Sequence, residues 1–567
     1  MSLPLLAVVV LAVLALGYRF YGGFVARQYN LDPVATTPAH SRADGVDFVP
    51  TKPFYLLGQH FSAIAAAGPI AGPILACQQF GWLPAILWIG LGVVFIGAVH
   101  DMSTLVASVR HEGRSIAEVI KSALGPNAGM AMLAFIWVAL IYVIVAFTDV
   151  TAATFVSGDA EMKGLEFRFN PGGAVAAASI MYLLLAVAMG LVERFLKPPL
   201  WLQTAIFVPA TLLVVWLGTQ VSTWLVLDAK VWAFIILGYC FVASLTPVWA
   251  LLQPRGYLGG FVLYLALGVG VVGIFFGGFD VAQEPFKGWS AGGGKIPLFP
   301  FLFVTIACGA CSGFHGLVCS GTTSKQIDRE DHCHPVGYGA MLLEGFVALI
   351  ALATIMIASN ADITGKAPGA IYGNGLGRFL TVVIGEEHLL FATTFGAMAF
   401  STFVFDTLDV STRLGRYIIQ ELFGWQGRVA AVVATGITCA VPLVFVLMAG
   451  KGAWAAFWTL FGTSNQLLAA LSLIGITVWL KKAGKRYWYT LWPAVFVSVI
   501  TCSALVMQIQ GAFFSDGQAT GVQLINGAVA VVLLMLAGGL MLLGARAILT
   551  PVTPVRVPQP ASAESAP

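Results

Sequence analysis

Charged residues are scarce in this sequence. They make up 10% of its 567 residues, whereas hydrophobic residues make up 59%. Water-soluble domains average about 25% charged residues, so the composition excludes a soluble fold. The longest polar stretches, at 19–53, 153–173, 280–298 and 359–386, are too short to fold independently. The composition therefore predicts an integral membrane protein without a sizeable soluble domain.

Several motifs that mark other classes of membrane protein are absent. No G-x-x-x-x-G-K-[ST] phosphate loop occurs, which argues against ATP-driven transport. No repeated filter motif or ring of one charge sign occurs, which argues against a channel. The net charge is only +3, so neither a nucleic acid nor another strongly charged partner is expected.

The cysteines and the N-terminus exclude two features of secreted proteins. Nearly all of the eight cysteines lie in or beside apolar runs, which argues against a disulfide framework. The apolar run at 3–16 lacks the charged n-region of a signal peptide, and Arg19 and Arg27 follow it instead. This pattern favours a retained helix with its N-terminus outside.

Apolar runs long enough to cross a hydrocarbon core of about 30 Å dominate the chain. In lipid such runs must be helical, because their backbone amides find no water to bond. We predict fifteen spans, at about 2–20, 54–77, 83–106, 129–152, 174–192, 200–220, 231–251, 258–279, 299–320, 336–358, 387–411, 429–449, 453–479, 488–510 and 524–545.

The distribution of Lys and Arg predicts the topology. When the fifteen spans alternate in direction, 21 of the 29 Lys and Arg fall on one side and eight on the other. The richer side is expected to be cytoplasmic, which places the N-terminus in the periplasm and the C-terminus in the cytoplasm. We predict a transmembrane domain over 1–548, with a core at about 20–410 and C-terminal helices at about 411–548. The tail at 549–567, rich in Pro, Ala and Ser, is predicted to be disordered.

Two of the spans are predicted to be broken. The first contains two Gly-Pro pairs at 68–73, and proline removes an amide and clashes with the preceding turn. The second contains three glycines between residues 309 and 316, with Ser312 and His315. The two lie seven spans apart and so run in opposite directions, as at a midplane site of secondary transporters. The alternative is that the glycines only permit close helix packing. The substrate-binding candidates are Gly68, Pro69, Gly72, Pro73, Ser312, Gly313, His315 and Thr322.

Ionisable residues at membrane depth are candidates for function, because their burial costs several kcal/mol unless they are paired or hydrated. For proton coupling the candidates are His60, His100, Asp101 and Glu344. Asp409 and Arg413 stand i, i+4 on one helix face and are predicted to form a structural ion pair.

A cluster of Cys308, Cys311, His315 and Cys319 shares one helical face and suggests a metal. Because the helix is predicted to break between these residues, we expect no metal, no cofactor and no catalytic residue. An intramembrane metal or redox protein built on this cluster stays open as the alternative to a transporter.

Long stretches across the chain resemble the carbon starvation protein A family. The stretches are Tyr29-Asn30-Leu31-Asp32, residues 36–50, Gly58-Gln59-His60-Phe61, residues 68–73, Gly97-Ala98-Val99-His100-Asp101, Ser312-Gly313-Phe314-His315, Ser320-Gly321-Thr322, residues 409–413 with Arg416-Tyr417, and Leu460-Phe461-Gly462-Thr463-Ser464-Asn465-Gln466-Leu467-Leu468.

This resemblance implies an all-α polytopic carrier of the bacterial inner membrane with a LeuT-like, inverted-repeat core and two broken helices. It also implies uptake of a small carboxylate-bearing nutrient, a peptide or pyruvate, with a proton as coupling partner and in response to carbon starvation. This sequence departs from the family pattern at Gln59, where the family has histidine, and in having Cys311 and Cys319. It is also shorter than the longer members of the family.

Overall fold

The computed structural model describes residues 2–44, 47–156, 169–448, 454–514 and 521–551, so most of the predicted tail at 549–567 lies outside the described residues. The first half of the chain forms helices α1 Leu3–Tyr29, α2 Pro53–Ile64, α3 Gly68–Phe80, α4 Trp82–Arg110, α5 Ile116–Leu124, α6 Pro126–Phe155, α7 Pro171–Leu196, α8 Leu200–Gln220, α9 Ala229–Leu245 and α10 Leu252–Phe276.

The second half begins with a two-stranded antiparallel hairpin, β1 Ser290–Ala291 and β2 Ile296–Pro297. The helices that follow are α11 Leu298–Thr305, α12 Gly313–Gly321, α13 Glu330–Met356, α14 Pro368–Ile384, α15 Leu389–Phe423, α16 Gly427–Met448, α17 Trp454–Lys482, α18 Trp488–Phe513 and α19 Gly521–Leu549.

Most of these helices are membrane spans by length and composition. Among the described residues twelve qualify, or thirteen when the bent pair α2 and α3 counts as one. The all-α polytopic fold is therefore confirmed. The predicted count of fifteen also included α9, which has only 17 residues, and the broken pair α11 and α12, whose pieces are shorter still. The inverted repeat and the division of the chain at about residue 411 stay predictions.

Helix α14 lies within the segment 359–386, which the sequence analysis treated as a loop. Gly369, Gly373 and Gly377 recur every four residues along it. A Cβ atom at Gly373 would lie 2.8 Å from the backbone nitrogen of Ala397 on α15. Small residues at this spacing let two helix backbones approach closely, so the glycines dock α14 on α15.

The loops at one end of the bundle contact one another in the grouping that the Lys and Arg distribution predicts. The Arg110 guanidinium pairs with Glu330, with Nε and Oε1 2.6 Å apart. The Lys482 ammonium donates to the carbonyl oxygen of Ala123 at 2.6 Å. All of these residues belong to loops or helix ends that were assigned to the same side, and the orientation of the chain in the membrane stays a prediction.

Helix α17 lies at the centre of the bundle, because 89% of the residues in its apolar 18-residue stretch are buried. Gly462 on α17 touches the backbone of α11, because a Cβ atom there would lie 1.9 Å from the carbonyl oxygen of Val304. The second broken helix therefore packs directly on α17, without side chains between the two backbones.

Candidate functional site

The first broken helix is interrupted at residues 65–67, between α2 and α3, where the axis bends by 48°. The break was predicted at 68–73, and in the structure it begins three residues earlier. Pro69 lies in the first turn of α3, where amides have no intrahelical partner and a proline costs little. Pro73 lies inside α3 and leaves one carbonyl of the preceding turn without its usual amide donor.

The second broken helix is interrupted over residues 306–312, between α11 and α12. Gly313 begins α12, and Ser312 precedes it with extended backbone angles. The predicted break is confirmed, and it is longer than the first.

The two breaks touch each other. A Cβ atom at Gly68 would lie 2.4 Å from the Cys308 sulfur, and one at Gly72 would lie 2.6 Å from the Thr305 carbonyl oxygen. Only glycine at both positions lets α3 approach the second break this closely. The predicted substrate-binding residues Gly68, Pro69, Gly72, Pro73, Ser312 and Gly313 are all buried at this junction.

Side chains of α17 bond the backbone of the second break and its flanking turns. The Trp458 indole donates to the Thr305 carbonyl oxygen at 3.2 Å, and the Gln466 amide donates to that of Phe303 at 2.9 Å. The Asn465 carbonyl oxygen accepts the backbone N–H of Phe314 at 2.9 Å. Backbone groups that leave a helix inside a membrane need such partners.

A chain of buried ionisable residues lies beside the junction. His315, in the first turn of α12, has its Nδ1 atom 2.9 Å from Asp101 Oδ2 and its Nε2 atom 3.0 Å from Glu344 Oε2. The second contact has the distance of an ion pair but lacks the alignment of a hydrogen bond. The other oxygen of Asp101 lies 2.8 Å from His100 Nδ1. Four residues that were predicted separately thus form one network, which we call the His315 network.

Two π-helical turns precede the partners of His315. One covers Val93–Gly97 before His100 and Asp101, and the other covers His334–Gly339 before Glu344. Such turns re-aim the residues that follow and occur often at functional sites. They are joined, because the Tyr338 hydroxyl donates to the Val94 carbonyl oxygen at 2.7 Å.

His60 lies apart from this network. Its Nδ1 atom is 2.8 Å from the Thr323 hydroxyl, and its Nε2 atom is 3.7 Å from the Cys319 sulfur. His60 therefore connects α2 with the end of α12, so it joins the two broken helices to each other.

Of the remaining predicted substrate-binding residues, Thr322 lies away from the junction and His315 lies at it. Thr322 follows the C-terminal end of α12, is exposed, and donates to the Val318 carbonyl oxygen at 3.1 Å. Both ring nitrogens of His315 face carboxylates. A substrate contact would therefore require His315 to give up one of these carboxylates.

The proposed metal cluster is divided between different partners. The Cys308 sulfur accepts from the Asn465 amide at 3.2 Å, and the Cys319 sulfur faces His60. No three potential metal ligands converge anywhere in the part of the chain that the structure describes. A metal on this cluster would have to displace one of the two carboxylates that the ring nitrogens of His315 face.

The predicted ion pair between Asp409 and Arg413 is corrected. Asp409 instead pairs with the fully buried Arg255 guanidinium, which also lies 2.6 Å from Asp406 Oδ1. The Arg413 guanidinium instead lies at the C-terminal end of α9 and donates to the carbonyl oxygens of Ala243 and Thr246, both at 2.9 Å. Tertiary packing supplied a closer cation from α10 than the one in the next turn.

Four residues of these contacts were not assigned to any site from the sequence: Asn465, Gln466, Arg255 and Thr323. A signal existed for the first two, because adjacent amide side chains in the middle of an apolar span are costly unless bonded. Arg255 was counted only as a loop cation, although it lies inside α10.

The chain is similar to members of one protein family over most of its length. The sequence matches the family described as carbon starvation protein CstA over residues 2–373 and 357–504. It is 33% identical to the peptide transporter CstA of Bacillus subtilis, over 93% of this chain and 94% of that protein. It is 31% identical to the pyruvate/proton symporter BtsT of Escherichia coli, over 89% of this chain and 82% of that protein.

Among solved structures, the manganese transporter of Eremococcus coleocola in complex with an aromatic bis-isothiourea substituted compound is similar with a TM-score of 0.44 and 15% identity. The match covers 89% of this chain and 98% of that chain. The two long sequence matches decide the classification: the chain belongs to the carbon starvation protein CstA family.

Proposed function

We propose that this protein is a secondary transporter that takes up a small carboxylate-bearing nutrient, a peptide or pyruvate, together with a proton. Its setting is the bacterial inner membrane during carbon starvation, with a periplasmic N-terminus and a cytoplasmic C-terminus. The observation that carries the proposal is His315, held between two buried carboxylates in the first turn of a broken helix. The names of the two relatives support a peptide or pyruvate as substrate.

The carboxylate of the substrate would bind where the N-terminal ends of α3 and α12 meet the second break. First-turn amides carry partial positive charge and favour anions. Gly68, Pro69, Gly72 and Pro73 form the α3 side of this site, and Ser312 and Gly313 form the α12 side. The glycines bring the two sides of this site into contact, because none of them places a side chain between α3 and the second break.

Coupling follows from the charges of the His315 network. Asp101 and Glu344 supply two negative charges against one positive charge on His315, so the network repels an incoming carboxylate. A proton on Glu344 removes one negative charge. Its Oε1 atom is buried and has no hydrogen-bond partner among the described residues, so it can take up a proton without breaking a contact. His60 and His100 complete the set of coupling residues.

The test is uptake of labelled pyruvate and of a labelled dipeptide by proteoliposomes that contain the purified protein. We expect accumulation of one of the two when the lumen is made alkaline relative to the outside, and only equilibration without a gradient. A sodium gradient of equal size serves as the control. Accumulation that follows sodium and ignores protons would overturn proton coupling, and no uptake of either compound would overturn the substrate class.

A further inference from the structure

Helix α12 lacks a cap from its own sequence. Ser312 occupies the N-cap position, where a serine normally accepts a backbone N–H from the first turn. Its side chain makes no such bond here. The Phe314 N–H, which a local cap would take, is bonded by Asn465 from α17. The cap of α12 is therefore supplied by a helix some 150 residues further along the chain.

The same amide group of Asn465 reaches two residues of the break. Its NH₂ group donates to Ser312 Oγ at 3.0 Å and to the Cys308 sulfur at 3.2 Å. Asn465 is 2% exposed, and a Cβ atom at Gly313 would lie 2.5 Å from its backbone oxygen. One buried side chain thus connects Cys308, inside the break, to the start of α12.

From this geometry we infer that Asn465 is a positioning residue for transport. By capping Phe314 and holding Ser312, it keeps the serine hydroxyl away from the first turn of α12. The remaining first-turn amides stay oriented toward the junction, where they bind the carboxylate of the substrate. This inference rests on the proposed function. It assigns to α17 the task of positioning the start of α12 for the substrate.

The test compares Asn465→Ala with Thr463→Ala. Thr463 lies on the same helix and is equally buried, but its hydroxyl accepts from Gln508 on α18 and so faces away from the break. We expect Asn465→Ala to raise the KM for uptake about tenfold, as the loss of a buried hydrogen bond implies, with a smaller change in the maximal rate. Thr463→Ala should leave the KM within twofold of the unchanged protein.

Hydrogen–deuterium exchange of residues 306–316 provides a readout that needs no substrate. Asn465→Ala should speed exchange at the start of α12, and Thr463→Ala should not. If Asn465→Ala does not fold, Asn465→Asp replaces it. The aspartate can still accept from Phe314 and keep exchange slow, but it loses the donor to Ser312 and should raise the KM.

The outcomes distinguish a failure of the role of Asn465 from a failure of the proposed function. An unchanged KM in the asparagine variants, with uptake intact in the parent protein, overturns the inference. If the parent protein takes up neither substrate, the proposed function fails and exchange decides the positioning role alone. In that case faster exchange confined to residues 306–316 in Asn465→Ala supports the cap, and exchange equal to that of Thr463→Ala overturns it.

Discussion

The two broken helices are interrupted by different physical means. The first break, at 65–67, is short, and the backbone around it bonds within its own segment, as from the Ala65 N–H to the Phe61 carbonyl oxygen at 2.8 Å. The second break, at 306–312, is longer, and its surrounding backbone is bonded by side chains of α17. The first is a local product of proline, and the second is a product of tertiary packing.

This difference assigns separate tasks to the two breaks. The half-helix that follows the second break carries His315 in its first turn and joins α4 and α13 through Asp101 and Glu344. The half-helix that follows the first break contributes glycines and prolines and no charged side chain. We therefore expect proton coupling to be lost when the region of the second break is changed. The rate of transport should fall when the region of the first break is changed.

The largest effect is expected from Glu344→Gln. Glutamine cannot exchange a proton, so accumulation driven by a proton gradient should fall to simple equilibration, while exchange of labelled for unlabelled substrate persists. Uptake and exchange in the same proteoliposomes measure both. Thr354→Ala is the control, because this buried residue lies on the same helix and its hydroxyl bonds only that helix, at Ala351. Accumulation retained in Glu344→Gln would rule out Glu344 as the coupling group.

The first break could be predicted from the sequence, whereas the contacts around the second break could not. The first break was predicted to within three residues, because proline acts on its own turn. His100, Asp101, His315 and Glu344 were each identified from their cost at membrane depth. Their order of contact was not predictable, since it depends on how α4, α12 and α13 pack.

Two errors have the same physical origin. The i, i+4 spacing of Asp409 and Arg413 indicated an ion pair, but Arg255 on a different helix lies closer to Asp409. The segment around Gly373 was treated as a loop, because its short apolar stretch signals a buried helix only once α15 is known to lie against it. Spacing along one helix predicts which contacts its side chains could make. The packing of the neighbouring helices decides which of these contacts form.

The next effect tests whether the first break is local. Replacing Pro69 and Pro73 together by alanine restores two backbone N–H groups, so α2 and α3 should join into a straighter helix. We expect the maximal uptake rate to fall about tenfold with little change in the melting temperature. Pro442→Ala is the matched control, because Pro442 lies inside another helix, α16, away from the junction. A well-folded double variant with normal uptake would leave the Gly-Pro pairs as packing devices only.

The contact between the two breaks predicts a smaller effect on stability. A methyl group at Gly72 would lie 2.6 Å from the Thr305 carbonyl oxygen, and one at Gly68 would lie 2.5 Å from Cys308 Cβ, which rotation of the sulfur does not move. Gly68→Ala and Gly72→Ala should therefore each cost about 1–3 kcal/mol. Thermal unfolding in detergent measures both. Gly256→Ala, on α10 with open space around it, should be neutral or slightly stabilising. If both junction variants were as stable as Gly256→Ala, the close approach of the two breaks would be contradicted.

The smallest effect concerns the link between the broken helices at His60. Thr323→Val removes the hydroxyl that lies 2.8 Å from His60 Nδ1 and keeps the shape of the side chain. The loss of one such bond costs about 1 kcal/mol, which corresponds to about a fivefold rise in the population of states in which α2 has moved away from α12. Cys319 faces His60 and is buried, so its rate of labelling by a membrane-permeable thiol reagent should rise by the same factor. Mass spectrometry of the peptide that contains Cys319 gives this rate.

Thr322→Val is the control, because the neighbouring hydroxyl is exposed and bonds only its own helix at Val318. Equal labelling in the two variants would show that the His60 contact does not hold α2 and α12 together.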